Sequence, residues 1–317
     1  MHRFGRLGCL IAAAMLAAAG CTQPFHQDRS NASAQPRQQR QTHPAEKDGT
    51  IVYQKRVPLH SRFSNRVEVY RIRYLSDGLE VVGYLSKPKG DRLKKHPLII
   101  FNRGGGLERS KINRNILRYF SFLSSKGYVV LGSQYRGNDG GEGHEQYGGS
   151  DLGDVLSLFP LADRLPYVDR KQRVMLGYSR GGMMTYLAMK AGVHVKAAAV
   201  VGGITDLEQF YRGRMDEPDV IQAIHRMVGD PKVNREEYEK RSVAQWPDKV
   251  NAPLLILHGT NDDKVSPNQA RKLDHQLIRL NKEHRTVFFR GGDHHLSTHE
   301  KERDHEILRW FADHLKQ

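Results

Sequence analysis

Short apolar runs alternate with amphipathic stretches along most of the chain. Pro97-Leu98-Ile99-Ile100-Phe101 and residues 128–132, 173–176, 195–201, 254–257 and 286–289 are almost wholly apolar or open on a short apolar core, and turn residues bound them. Such runs suit strands buried on both faces of a sheet. Between them, Ile112, Ile116, Leu117, Phe120 and Leu123 recur every three or four residues, and Lys126-Gly127 closes that stretch. The spacing predicts a helix there, and others over 150–161, 183–189, 267–280 and 300–316. Residues 66–75 and 79–85 instead alternate singly about Ser76-Asp77-Gly78, which predicts an antiparallel hairpin. Strand–helix alternation of this kind gives a mostly parallel central sheet with helices on both faces, an α/β architecture.

Two segments break the rhythm. Residues 135–149 form a long glycine-rich loop, and the connection between Gly203 and Ala252 is far longer than the usual few residues. Residues 207–214, 220–228 and 235–241 within it read as helices of a small cap, an insertion at about 204–250 that lies over one edge of the sheet.

The N-terminus has a different character. Arg3 and Arg6 precede an apolar run from Leu7 to Ala19, so residues 1–20 read as a signal peptide. The run is shorter than the ~20 apolar residues of a membrane-spanning helix. Ala18-Ala19-Gly20 directly before Cys21 resembles a bacterial lipobox, which implies acylation of Cys21 and a lipid anchor, with the outer membrane facing the periplasm as the expected location. Residues 22–48 are rich in Gln, Arg, Ser, Asn and Pro and read as a disordered tether behind the lipidated cysteine. Cys9 lies within the leader, so the folded part is expected to have no disulfide. Residues 49–317 are ample for one large domain. The formal charge is +15, and loss of Arg3 and Arg6 with the leader leaves +13. The excess is scattered and matches no nucleic-acid fold signature, so it reads as a basic surface facing anionic lipid or acidic envelope polymers.

Chemistry is concentrated in three places. Gly177-Tyr178-Ser179-Arg180-Gly181 is a G-x-S-x-G pentapeptide between a predicted strand and a predicted helix, where the glycines permit a tight turn that pushes the Ser179 hydroxyl outward. A serine needs an imidazole to take its proton, and that imidazole needs a carboxylate to fix its tautomer. His258-Gly259-Thr260-Asn261-Asp262-Asp263-Lys264-Val265 follows one late strand, and Gly291-Gly292-Asp293-His294-His295 follows the next. The chain order Ser, Asp, His is that of α/β-hydrolases, the fold class expected here.

These motifs, with Gly-x-Ser-x-Gly-Gly upstream, resemble the catalytic domain of the prolyl oligopeptidase family of serine peptidases, over roughly residues 79–317. The resemblance implies Ser179 as nucleophile, Asp262 as triad acid and His294 as base. Asp263 then reads as a loop-capping side chain, and His295 as a packing or surface residue. Of the two oxyanion donors, one is expected from the backbone N–H of Arg180, the residue after the nucleophile. The second is expected after the 97–101 strand, where the family often carries a Tyr or His-Gly-Gly and this chain has Asn102-Arg103-Gly104. The Asn102 amide and the Arg103–Gly104 backbone are both candidates. Family members usually carry an N-terminal β-propeller, for which this chain leaves no room, so any gating is expected from the cap.

No cofactor and no metal are called for: His294, His295 and His299 lie close together, but no HExxH is present. The expected partners are a peptide or small ester substrate and, through lipid, the membrane. The sequence is silent on oligomeric state. The expected reaction is peptide-bond hydrolysis through an acyl-enzyme. A carboxylesterase acting on small esters is the alternative, and a non-catalytic binding lipoprotein on the same fold is a third reading.

Overall fold

The computed structural model describes residues 47–59, 62–90, 94–108 and 110–316, which belong to a compact unit spanning Pro44–Gln317. The leader, Cys21 and residues 22–46 lie outside the described residues, whereas Lys47 and Asp48, expected to end the tether, are part of the folded unit, where Asp48 Oδ1 accepts from the Asp77 N–H at 2.9 Å. In chain order the strands and α-helices are β1 (Ile51–Arg56), β2 (Val67–Ser76), β3 (Leu79–Pro88), β4 (His96–Asn102), α1 (Arg114–Ser125), β5 (Val129–Ser133), α2 (Leu152–Leu156), α3 (Leu158–Asp163), β6 (Val168–Tyr178), α4 (Arg180–Lys190), β7 (Ala197–Val201), α5 (Leu207–Arg212), α6 (Pro218–Met227), α7 (Arg235–Arg241), β8 (Leu254–Gly259), α8 (Pro267–Arg279), β9 (His284–Phe289) and α9 (Glu300–Leu315).

The strands form one sheet in the order β1-β2-β3-β5-β4-β6-β7-β8-β9. β1, β2, β3 and β5 pair antiparallel in succession, and from β5 through β4 to β9 every pairing is parallel. This is the α/β-hydrolase architecture expected. The period of two in a strand divides the core between the two faces of the sheet. Leu98, Ile100, Met175, Ala198 and Val200 pack with α3, α4 and α8, whereas Ile99, Phe101, Val174, Leu176, Ala199 and Val201 pack with α1 and α9. Local chemistry fixes the helix starts. Asn113 accepts from the N–H groups of Asn115 and Ile116 at 2.9 and 3.2 Å to cap α1, Asp206 caps α5, and Pro267 opens α8 behind Ser266.

The structure departs from the sequence-based elements in three ways. β1 is an extra edge strand, exposed along almost its whole length, so no buried face imposes an alternation on its sequence. The predicted helix over 150–161 is two short helices meeting at Ser157. The cap is also less separate than expected. Leu207, Phe210 and Tyr211 of α5, Ile224 of α6 and Tyr238 of α7 join the same core as α4, and α6 is the more exposed of the three, with Ile224 its one buried residue.

Candidate active site

Ser179 sits between β6 and α4 with φ 55° and ψ −123°, a region that L-residues rarely adopt. Its neighbours hold it there. Ser179 N–H donates to Val201 O at 2.9 Å, and Ser179 O accepts from Gly182 N–H at 2.9 Å. A Cβ at Gly181 would lie 1.9 Å from Asn102 O, and one at Gly177 would lie 2.4 Å from Gly181 O, so the turn closes only with glycine at both positions. The elbow aims Ser179 into a cavity of about 1100 Å³ that His294 also lines.

Asp262 follows β8 and His294 follows β9. Lys264 and Val265 donate their backbone N–H groups to Asp262 Oδ1, each at 2.9 Å, and Oδ2 lies 2.8 Å from His294 Nδ1. A carboxylate can only accept here, so Nδ1 carries the proton and Nε2 is left as the basic nitrogen. Burial by itself would raise the Asp262 carboxyl, but the ring N–H groups of His258 and His294 and the Val265 N–H outweigh it and hold the group well below the usual carboxylate range. Gly202, at φ +55° past the end of β7, makes room for the pair. A Cβ on it would lie 3.0 Å from His294 Nδ1 and 3.2 Å from Asp262 Oδ2. Asp263 is turned to solvent beside Lys264, while its carbonyl accepts from Arg214. His295 also lines the cavity, and Arg303 of α9 donates to its carbonyl at 2.8 Å.

The oxyanion region differs from part of the expectation. Arg180 is the first residue of α4, where backbone N–H groups have no intrahelical acceptor. The side chains of Asn102 and Arg103 point away from the cavity. Asn102 Nδ2 donates to Thr185 Oγ1 at 2.9 Å, and the Arg103 guanidinium donates to the carbonyls of Gln134, Gly104 and Leu107. The Asn102 amide is thus spent on joining β4 to α4. The loop backbone is what meets Ser179: a Cβ at Gly104 would lie 3.1 Å from Ser179 Cβ.

The Arg180 side chain has a part the sequence did not suggest. Fully buried, it pairs with Glu145 and Asp151, donates to Gly105 O at 3.0 Å and lies between the rings of Tyr135 and Tyr147. Burial disfavours charge on both Arg180 and Asp151, and the two carboxylates around one guanidinium counter only part of that cost. Arg103 and Arg180 therefore clamp the Gly104–Leu107 loop from behind.

The model of the prolyl oligopeptidase family matches residues 116–317, which include Ser179, Asp262 and His294. The chain belongs to the prolyl oligopeptidase family. It is accordingly a serine hydrolase, and the non-catalytic reading falls away. It is 32% identical to the uncharacterized peptidase YtmA of Bacillus subtilis (strain 168), over 80% of this chain and 95% of that one. It is 30% identical to the uncharacterized peptidase YuxL of the same organism, over 75% of this chain but 38% of YuxL. Among solved structures, an acylaminoacyl peptidase in complex with Z-Gly-Gly-Phe-chloromethyl ketone superposes with a TM-score of 0.67 at 27% identity, covering 80% of this chain and 42% of that one. The Pyrococcus horikoshii acylaminoacyl peptidase gives the same TM-score and coverage at 25% identity. The chain thus spans nearly all of YtmA, and less than half of YuxL and of these two structures.

Proposed function

We propose that the protein cleaves peptide bonds through an acyl-enzyme on a Ser179–His294–Asp262 triad. The observation that carries this reading is the strained Ser179 elbow opening on the same cavity as an imidazole whose Nδ1–H is held by Asp262. His294 Nε2 takes the hydroxyl proton as Ser179 Oγ attacks the scissile carbonyl. The developing alkoxide is met by the Arg180 N–H and the Gly104 backbone. The imidazolium then protonates the leaving amine, which departs and leaves an ester on Ser179. Water, deprotonated by the same nitrogen, cleaves that ester and frees the acid. Asp262 stays ionised throughout and stabilises the imidazolium.

Peptide is preferred over ester because the relatives named above are peptidases. Apolar residues next to the scissile bond suit a cavity lined by Phe101, Tyr119 and Tyr178 on one side and by Phe210, Ile224 and Met227 on the other. We also infer export and lipid anchoring through Cys21, on the strength of the leader and the small residues before the cysteine. The test of the reaction is kcat/KM for a blocked peptidyl amide and for the ester of the same acyl group. The reading expects turnover of both, lost in Ser179→Ala. Turnover of the ester alone would make the protein a carboxylesterase.

A further inference from the structure

Asp262 has a second imidazole partner. His258, the penultimate residue of β8, is completely buried, and its Nε2 lies 2.9 Å from Val265 O and 3.0 Å from Asp262 Oδ2, the oxygen that also faces His294. Both neighbours of Nε2 are acceptors, so Nε2 must carry the proton. His258 Nδ1 is buried with no hydrogen-bond partner among the described residues, and a proton there would be an orphaned buried donor. The ring is therefore a neutral Nε2–H imidazole with its bare nitrogen turned into the core.

We propose that His258 is a positioning residue for the reaction, a second N–H on the triad carboxylate that fixes Asp262 and shares its charge. The inference rests on the triad reading above. The N–H is aimed at the carbonyl of Val265, the residue whose own N–H closes the Asp262 turn, and Asp262 Oδ2 flanks it. One side chain thus ties the turn to the strand and supplies the fourth N–H around the carboxylate, after Lys264, Val265 and His294. Two consequences follow. His258 Nε2, 3.0 Å from Oδ2, favours the orientation in which Oδ2 faces His294 Nδ1. The carboxylate also attracts the His294 proton less strongly than it would alone, which leaves the imidazole freer to hand its proton to the leaving group. His258 is absent from the cavity wall, so it acts on the chemistry and not on substrate binding. The charged and titratable groups around the Asp262–His294 pair are Lys264 beside Asp262, Asp293 and His295 from the His294 loop, Arg303 from α9 and Arg214 from the cap, and a change at His258 leaves all of them in place.

The experiment compares the wild-type protein with His258→Leu and His258→Gln, the second of which keeps an N–H near the position of Nε2. In His258→Leu, kcat on a peptidyl amide is expected to fall about 10-fold or more, the scale of one hydrogen bond to a charged group, with KM unchanged. The acid limb of kcat/KM should also move to higher pH, because a carboxylate relieved of one donor holds the imidazolium more tightly. His258→Gln should recover most of kcat and the original pH profile. Nitrogen-15 spectra of the wild-type protein should report His258 as the Nε2–H tautomer, a readout that does not depend on any variant folding. An Nδ1–H or charged His258, or a folded His258→Leu enzyme with unaltered kcat and pH profile, would overturn the proposal. Ser179→Ala and Asp262→Asn serve as controls: their loss of activity beside an unaffected His258→Leu refutes this inference alone, and their full activity refutes the triad.

Discussion

Ser179 is held at positive φ, a conformation that costs on the order of 1–3 kcal/mol for a residue with a side chain. The strain is tolerated because the glycines at 177 and 181 let β4, β6 and α4 close around the turn. This part of the site was legible in the sequence, since the glycines and the serine are neighbours along the chain. The choice between Asp262 and Asp263 was legible only through family resemblance, because both stand in the same loop. Geometry separates them by the direction of the side chain. Asp262→Asn is therefore expected to lower kcat by ~10⁴-fold, the scale of a wrong tautomer, while Asp263→Asn stays close to wild type. Equal losses in the two variants would show that the acid is misassigned. The lowered Asp262 carboxyl adds a pH signature. A group whose folded value lies below its unfolded value of ~3.9 stabilises the fold above that pH, and the contribution is lost as pH falls through the folded value. The difference in Tm between wild type and Asp262→Asn should thus shrink on acidification below about pH 4. The Arg180 side chain was not legible. Its carboxylate partners Glu145 and Asp151 come from the glycine-rich loop and its end, and only the folded sheet brings them behind the nucleophile.

At the scale of elements, the parallel strands were readable because burial on both faces demands unbroken apolar runs. β1 was not, since an exposed edge strand has no such demand. The cap was visible as an over-long connection, yet its packing was not. α5 and α7 contribute to the main core, so deleting the whole segment would expose that core; the substrate-gating question belongs to α6. Val220, Ile224 and Met227 of α6 line the cavity wall. Val220→Trp should narrow the cavity and lower kcat/KM for a long peptidyl substrate more than for a short acyl ester, without changing the rate of Ser179 labelling by a small probe. An unchanged ratio between the two substrates would remove α6 from substrate selection.

At the scale of the whole molecule, the anchor proposed at Cys21 would hold a basic chain against an anionic surface, which its positive charge suits. Cys21→Ser is expected to abolish incorporation of a labelled fatty acid and to free the protein from the membrane fraction, and a wild-type protein already free in periplasmic extract would contradict the anchor. The reach of sequence reading falls off with scale in a consistent way. Motifs local to one turn, such as Gly177 to Gly181, are readable directly. Groups that meet across strands, such as Asp262 with His294, or Gly202 beside them, become readable only when the order of β7, β8 and β9 is known.

The central claim is that one serine, activated by this constellation, performs the reaction. Its most direct test is reaction of the intact protein with a fluorophosphonate, followed by mass mapping of the modified peptide. The account predicts a single adduct on Ser179, absent from Ser179→Ala and formed far more slowly in Asp262→Asn. A folded protein that takes up no label, or one still labelled after Ser179→Ala, would contradict it.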